Sequence, residues 1–133
     1  MYLLDTNVVS ELRKLKPHGA VVAWMSKVSD TSIALSAVTI GEIQAGIEIT
    51  REQDKEKAKQ LENWLNQVES VYNVIPLNAQ IFRRWGKIMH RQSNTILEDG
   101  LIAATAIENN LTVVTRDEKD FKRLKVNVLN PFK

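Results

Sequence analysis

The chain has 133 residues, of which 44% are hydrophobic and 26% charged, the balance of one ordinary globular domain able to bury a core without covalent staples. It has no cysteine, which excludes disulfides and thiolate metal sites and suits a reducing compartment. The formal net charge of +2 is too mild to mark a strongly basic nucleic-acid-coating protein.

The opening Met1-Tyr2-Leu3-Leu4-Asp5 has neither a basic segment nor a long apolar run, so no secretion signal is expected. Tyr2-Leu3-Leu4 reads as a buried strand, and Asp5-Thr6-Asn7 as the cap of a helix whose Val8, Val9 and Leu12 recur at helical spacing. Pro17 ends that pattern, and a second helix is expected over Gly19 to Val28. Ile33 to Ser36 is a short strand. The uncharged stretch Thr31 to Gly41 is far too short to cross a bilayer, so a cytoplasmic protein without membrane contact is expected.

A helix follows over about Val38 to Ile49, with Ile40, Ile43 and Ile47 inward and Glu42 beside that face. Arg51 to Lys59 alternates in charge, with favourable pairs Glu52–Lys55 and Glu56–Lys59. It reads as a solvated helical face that continues through Leu61, Trp64, Leu65 and Val68. Val71 to Ile75 is a strand stopped by Pro76, and Asn78 caps a helix from Ala79 to about Arg91. Asp99 opens a helix over Gly100 to Glu108, which Asn109-Asn110 end. Leu111 to Thr115 is a β-branched strand, and Val126 to Leu129 a last one. Strands alternating with helices predict an α/β fold: one domain over 1–133, with a mostly parallel central sheet flanked by helices on both faces.

Four acids stand out in that scheme. Asp5 and Asp117 each lie just past the end of a strand, at the edge where open parallel sheets bind ligands. Asp99 lies in the first turn of a helix, and Glu42 one turn into another. Each has an ordinary structural explanation when taken alone: a cap, a first-turn acid, an exposed helix acid, a turn. Independent caps have no reason to converge on one edge. Four carboxylates held together without histidine or cysteine need a hard cation such as Mg²⁺ or Mn²⁺, which favours phosphodiester chemistry.

Four blocks in order then carry a resemblance: Leu3-Leu4-Asp5-Thr6-Asn7-Val8-Val9-Ser10-Glu11, Leu35-Ser36-Ala37-Val38-Thr39-Ile40-Gly41-Glu42, Asp99-Gly100-Leu101-Ile102-Ala103-Ala104-Thr105-Ala106 and Val113-Val114-Thr115-Arg116-Asp117-Glu118-Lys119-Asp120-Phe121. Together they span nearly the whole chain and resemble PIN-domain proteins, especially the VapC-type toxins of VapBC toxin–antitoxin pairs. The FitB-like subgroup is also similar. The resemblance implies a PIN-like sheet with an acidic pocket and a Mg²⁺- or Mn²⁺-dependent endoribonuclease, with Asp5, Glu42, Asp99 and Asp117 as catalytic and metal-holding residues. It implies polar pocket positions at Asn7, Ser36 and Thr115 and an accessory acid at Asp120. Glu98, an acid directly before Asp99, departs from the pattern and would share the ion or merely add charge.

Partners implied by the same route are RNA and a small antitoxin, with a homodimer inside the larger complex and promoter DNA contacted only through the antitoxin. Such an antitoxin would block the pocket with an arginine, whose guanidinium pairs well with carboxylates.

His18 and His90 are not spaced as a metal pair. Trp24, Trp64 and Trp85 fall on apolar stripes and are expected in the core or an interface. Arg83, Arg84, Lys87 and Arg91 make a basic helix face, read as solvated surface before RNA contact. Arg116 is expected to pair with nearby acids. A phosphoacceptor receiver would want paired acids after the first strand, and a dehalogenase-type phosphatase would want Asp at the position of Asn7. A non-catalytic PIN fold that only binds RNA or a partner stays open as the alternative.

Overall fold

The computed structural model describes all 133 residues. Five strands form one sheet: β1 (Tyr2–Leu4), β2 (Ile33–Ser36), β3 (Asn73–Ile75), β4 (Thr112–Val114) and β5 (Val128–Leu129). Their order across the sheet is β3-β2-β1-β4-β5, and every pairing is parallel. Seven helices surround it: α1 (Thr6–Leu12), α2 (Gly19–Lys27), α3 (Ala37–Gln53), α4 (Lys55–Val71), α5 (Ala79–Ile88), α6 (Leu97–Glu108) and α7 (Glu118–Arg123).

The central strand explains the two-faced core. Side chains alternate along a strand, so neighbours face opposite layers. Leu3 packs with Ile102, Ala103, Val113 and Phe121 on one face. Leu4 packs with Val8, Leu35, Val68 and Val114 on the other. Both leucines are fully buried, which is why β1 is apolar throughout rather than alternating. A smaller cluster of Ile47, Ala58 and Leu65 joins α3 to α4.

The chain builds β1, β2 and β3 outward in one direction, then returns to add β4 on the far side of β1. That reversal opens a crevice between the carboxyl ends of β1 and β4. Asp5 follows β1 directly, and Asp117 lies three residues past the end of β4.

Some expectations change. The charged run Arg51–Lys59 is not one helix: Asp54 breaks it. Asp54 is extended (φ −150°, ψ 92°), donates its N–H to Thr50 O at 2.8 Å and accepts Lys57 N–H at 3.0 Å. One residue thus ends α3 and caps α4, letting the two fold back on each other; Gln44 and Arg51 of α3 both reach Glu62 of α4. Helix α5 stops at Ile88, short of Arg91, which sits at φ 67°. Helix α6 starts at Leu97, so Glu98 and Asp99 both lie in its first turn. Helix α7 was not expected; it buries Phe121 against the sheet. No helix is long and apolar enough to cross a membrane.

Candidate active site

Asp5 is 4% exposed and caps α1. Its Oδ1 accepts the Thr6 N–H at 2.8 Å, and its Oδ2 accepts the Thr115 hydroxyl at 2.8 Å. The Thr115 oxygen accepts the Asp117 N–H at 2.9 Å. A fully buried hydroxyl therefore ties the end of β1 to the turn after β4. Asn7, in the first turn of α1, donates its amide to Asp117 Oδ2 at 3.1 Å.

Thr6 makes the link to α3. Its hydroxyl donates to Glu42 Oε1 at 2.7 Å and lies 3.0 Å from the Thr39 hydroxyl. Thr6 has one hydroxyl proton, already given to Glu42, so Thr39 donates in that pair. Asp99 reaches the same space from the first turn of α6, where the positive end of the helix favours a carboxylate. Asp5, Asn7, Glu42, Asp99 and Asp117 thus line one cleft of about 480 Å³.

Arg13, Lys14 and Arg116 line the same cleft, but none of them pairs with the four acids. Burial pushes Asp5 up to about 6, against the hydrogen bonds from Thr115 and Thr6, and Asp117 and Glu42 push it further. Asp99 is pushed up to about 7, by burial first and then by Asp5, Asp117, Asp120 and Glu42. Glu42 is exposed as a residue, but its carboxyl end is partly desolvated and so raised; Thr6 opposes the shift and Glu98 adds to it. No lysine or arginine lies within ion-pairing distance of any of the four.

An oxygen-only set of mutually repelling carboxylates fits a hard divalent cation. No three acidic or imidazole side chains stand close enough to clasp one ion directly. That arrangement is compatible with Mg²⁺, which keeps several of its waters and needs only one or two carboxylates from the protein.

The remaining sequence candidates lie elsewhere. Ser36 is fully buried and turned to its own helix, accepting Val38 N–H at 3.2 Å as the cap of α3. Asp120 faces Arg123 at 4.0 Å and touches the cleft only through its charge on Asp99. Glu98 is exposed and acts on Glu42 in the same way. Arg116 does not pair with the acids as expected: its guanidinium lies over the Phe132 ring, 3.8 Å from the centroid. Thr6 as the bridge to Glu42, Thr39 hydrogen-bonded to it and Phe132 in the cleft lining are additions. The Thr6–Glu42 link spans 36 positions, so no local pattern announces it.

Residues 2–127 match the family model described as PIN domain. The chain is 30% identical to the VapC ribonuclease Y4jK of Sinorhizobium fredii, over 99% of this chain and 98% of that one. It is 32% identical to the toxin FitB of Neisseria gonorrhoeae, over 99% of each. The crystal structure of FitAcB from Neisseria gonorrhoeae superposes with a TM-score of 0.88 at 32% identity, covering 99% of both chains.

Proposed function

This chain belongs to the PIN-domain family, and on that basis we propose that it is the ribonuclease toxin of a toxin–antitoxin pair, cutting RNA phosphodiesters with the help of Mg²⁺ or Mn²⁺. The observation that carries the reading is the cleft at the sheet's switch point, where four carboxylates line one space, burial and the neighbouring acids raise Asp5 and Asp99, and no lysine or arginine forms an ion pair with any of the four. Its full-length likeness to a VapC ribonuclease and to toxin FitB supports the same activity.

Asp5, Glu42, Asp99 and Asp117 are the candidates for holding the ion, one or two of them directly. When bound, a divalent cation supplies Lewis acidity toward a phosphodiester and toward water. The protein's own part is orientation. Thr115 and the Thr6 N–H fix both oxygens of Asp5, Asn7 fixes one oxygen of Asp117, and Thr6 fixes Glu42. These bonds stop the carboxylates from turning away from one another as their charges repel, so the site is organised before substrate arrives.

The partner is a small antitoxin, in keeping with the toxin–antitoxin complexes that share this fold. Promoter DNA is reached through that antitoxin, the toxin forms a homodimer within the assembly, and the protein works in the cytoplasm. The deciding experiment is cleavage of RNA by purified protein with Mg²⁺, with EDTA, and with Asp99→Asn. Mg²⁺-dependent cutting that Asp99→Asn abolishes supports the reading. Undiminished cutting by folded Asp99→Asn sinks the site. RNA or partner binding without any cleavage points to a non-catalytic PIN fold.

A further inference from the structure

Arg116 and Phe132 line the same cleft as the acids. Arg116 is exposed and directly precedes Asp117, yet it makes no ion pair. Its guanidinium is stacked on Phe132 instead, at 3.8 Å. Stacking uses the face of a guanidinium and leaves its in-plane N–H donors free.

The ring beneath it is fixed on two sides. The Phe132 N–H donates to Asn130 Oδ1 at 2.9 Å, and the Asn130 amide donates to Glu118 Oε2 at 3.1 Å. The His18 ring meets Phe132 edge-on, with centroids 5.3 Å apart. The acid on the neighbouring turn is already engaged: Glu11 accepts Lys14 Nζ at 2.8 Å and the His18 N–H at 2.9 Å. A cation is thus held beside four carboxylates by an aromatic platform, with its donors unspent.

We propose that Arg116, seated on Phe132, is a phosphate-binding subsite that grips an RNA phosphodiester next to the carboxylates. It rests on the ribonuclease reading and says how that site holds its substrate. Four carboxylates repel a phosphate backbone, so a fixed cation in the same cleft is needed to bring one near. A guanidinium can meet two phosphate oxygens at once, and the stacked plane keeps its orientation as the substrate enters. Phe132 is the positioning residue of the pair.

The test measures binding apart from cleavage. In an Asp99→Asn background, which keeps the RNA intact, anisotropy follows a fluorescein-labelled single-stranded RNA across a salt series. Arg116→Gln is expected to weaken binding about tenfold and to lower the salt-dependence slope by about 0.7, the contribution of one single-strand phosphate. Arg116→Lys should restore the slope but only part of the affinity, since an ammonium lacks the planar fork. Phe132→Leu should weaken binding about threefold and leave the slope unchanged. Unaltered affinity and slope in Arg116→Gln, in a background that does bind RNA, overturn the subsite and leave the ribonuclease reading standing. A wild-type chain that neither binds nor cuts RNA overturns both.

Discussion

Thr115 carries no charge and no exposure, yet its one hydroxyl joins the Asp5 carboxylate to the backbone of Asp117. Thr115→Val keeps the shape and removes that bond from Asp5 and from the Asp117 N–H. We expect RNA cleavage or Mg²⁺ affinity to fall about 10- to 100-fold, the usual loss when a residue behind a metal ligand is removed. Asp5→Asn, which removes a proposed ligand itself, should take cleavage below detection. A quantitative cleavage assay on both folded variants ranks them, and equal activity in Thr115→Val and wild type would show that the hydroxyl is dispensable. The acids were legible as single letters because a carboxylate after a strand or in a first helical turn is a local feature. Arg116 is the opposite case. Its partner, Phe132, lies sixteen positions on and meets it only through the fold.

Among the elements, the helices that carry the acids are set by caps and close packing. Gly100, beside Asp99, shows how tightly α6 is packed there. A Cβ would meet Met89 Sδ at 2.5 Å and Trp85 Cδ1 at 3.2 Å, so α6 approaches α5 closely at the turn that presents Asp99. The Asp54 break is the other decisive local feature. Asp54→Ala should cost about 1 kcal/mol, the typical loss of a capping carboxylate, and leave RNA cleavage unchanged, since Asp54 lies outside the acidic cleft. Urea unfolding with a parallel activity assay checks both halves. Most elements could be read from apolar spacing, but this break could not. The charge pattern on either side is equally good helix, and only the packing of α4 back on α3 rewards a stop. Helix α7 is short, so periodicity carries little signal for it; its burial of Phe121 in the core supports it.

Across the whole molecule, the acidic cleft couples folding to pH and to metal. Asp5 and Asp99 have folded pKa values of about 6 and about 7, against an ordinary value of 3.8. Between those limits the folded chain binds more protons than the unfolded one. Their contribution to stability is therefore full below about pH 4 and is lost as pH rises through about 6 to 7. In EDTA, thermal melts of wild type should lose ground to Asp5→Asn over that window. A difference that grew in favour of wild type with rising pH would contradict the raised values. Mg²⁺ should raise the melting temperature more at about pH 8 than at about pH 5, because a cation binds the ionised carboxylates of the folded state.

The chain's own order of residues determined the layered α/β architecture, the parallel sheet and the four acids near strand and helix ends. Those follow from apolar period, β-branching and capping, all of which act over a few neighbouring residues. Only the tertiary structure decided that Thr6 bonds Glu42 and Thr115 bonds Asp5, that Ser36 caps its own helix, and that Arg116 rests on Phe132 rather than on a carboxylate. Each of those outcomes depends on which distant segments the strand order β3-β2-β1-β4-β5 brings to the crevice between β1 and β4. No residue's immediate neighbours record that order, so the acids, with Asn7 and Thr115 beside them, could be named from the sequence while the partner each one meets could not.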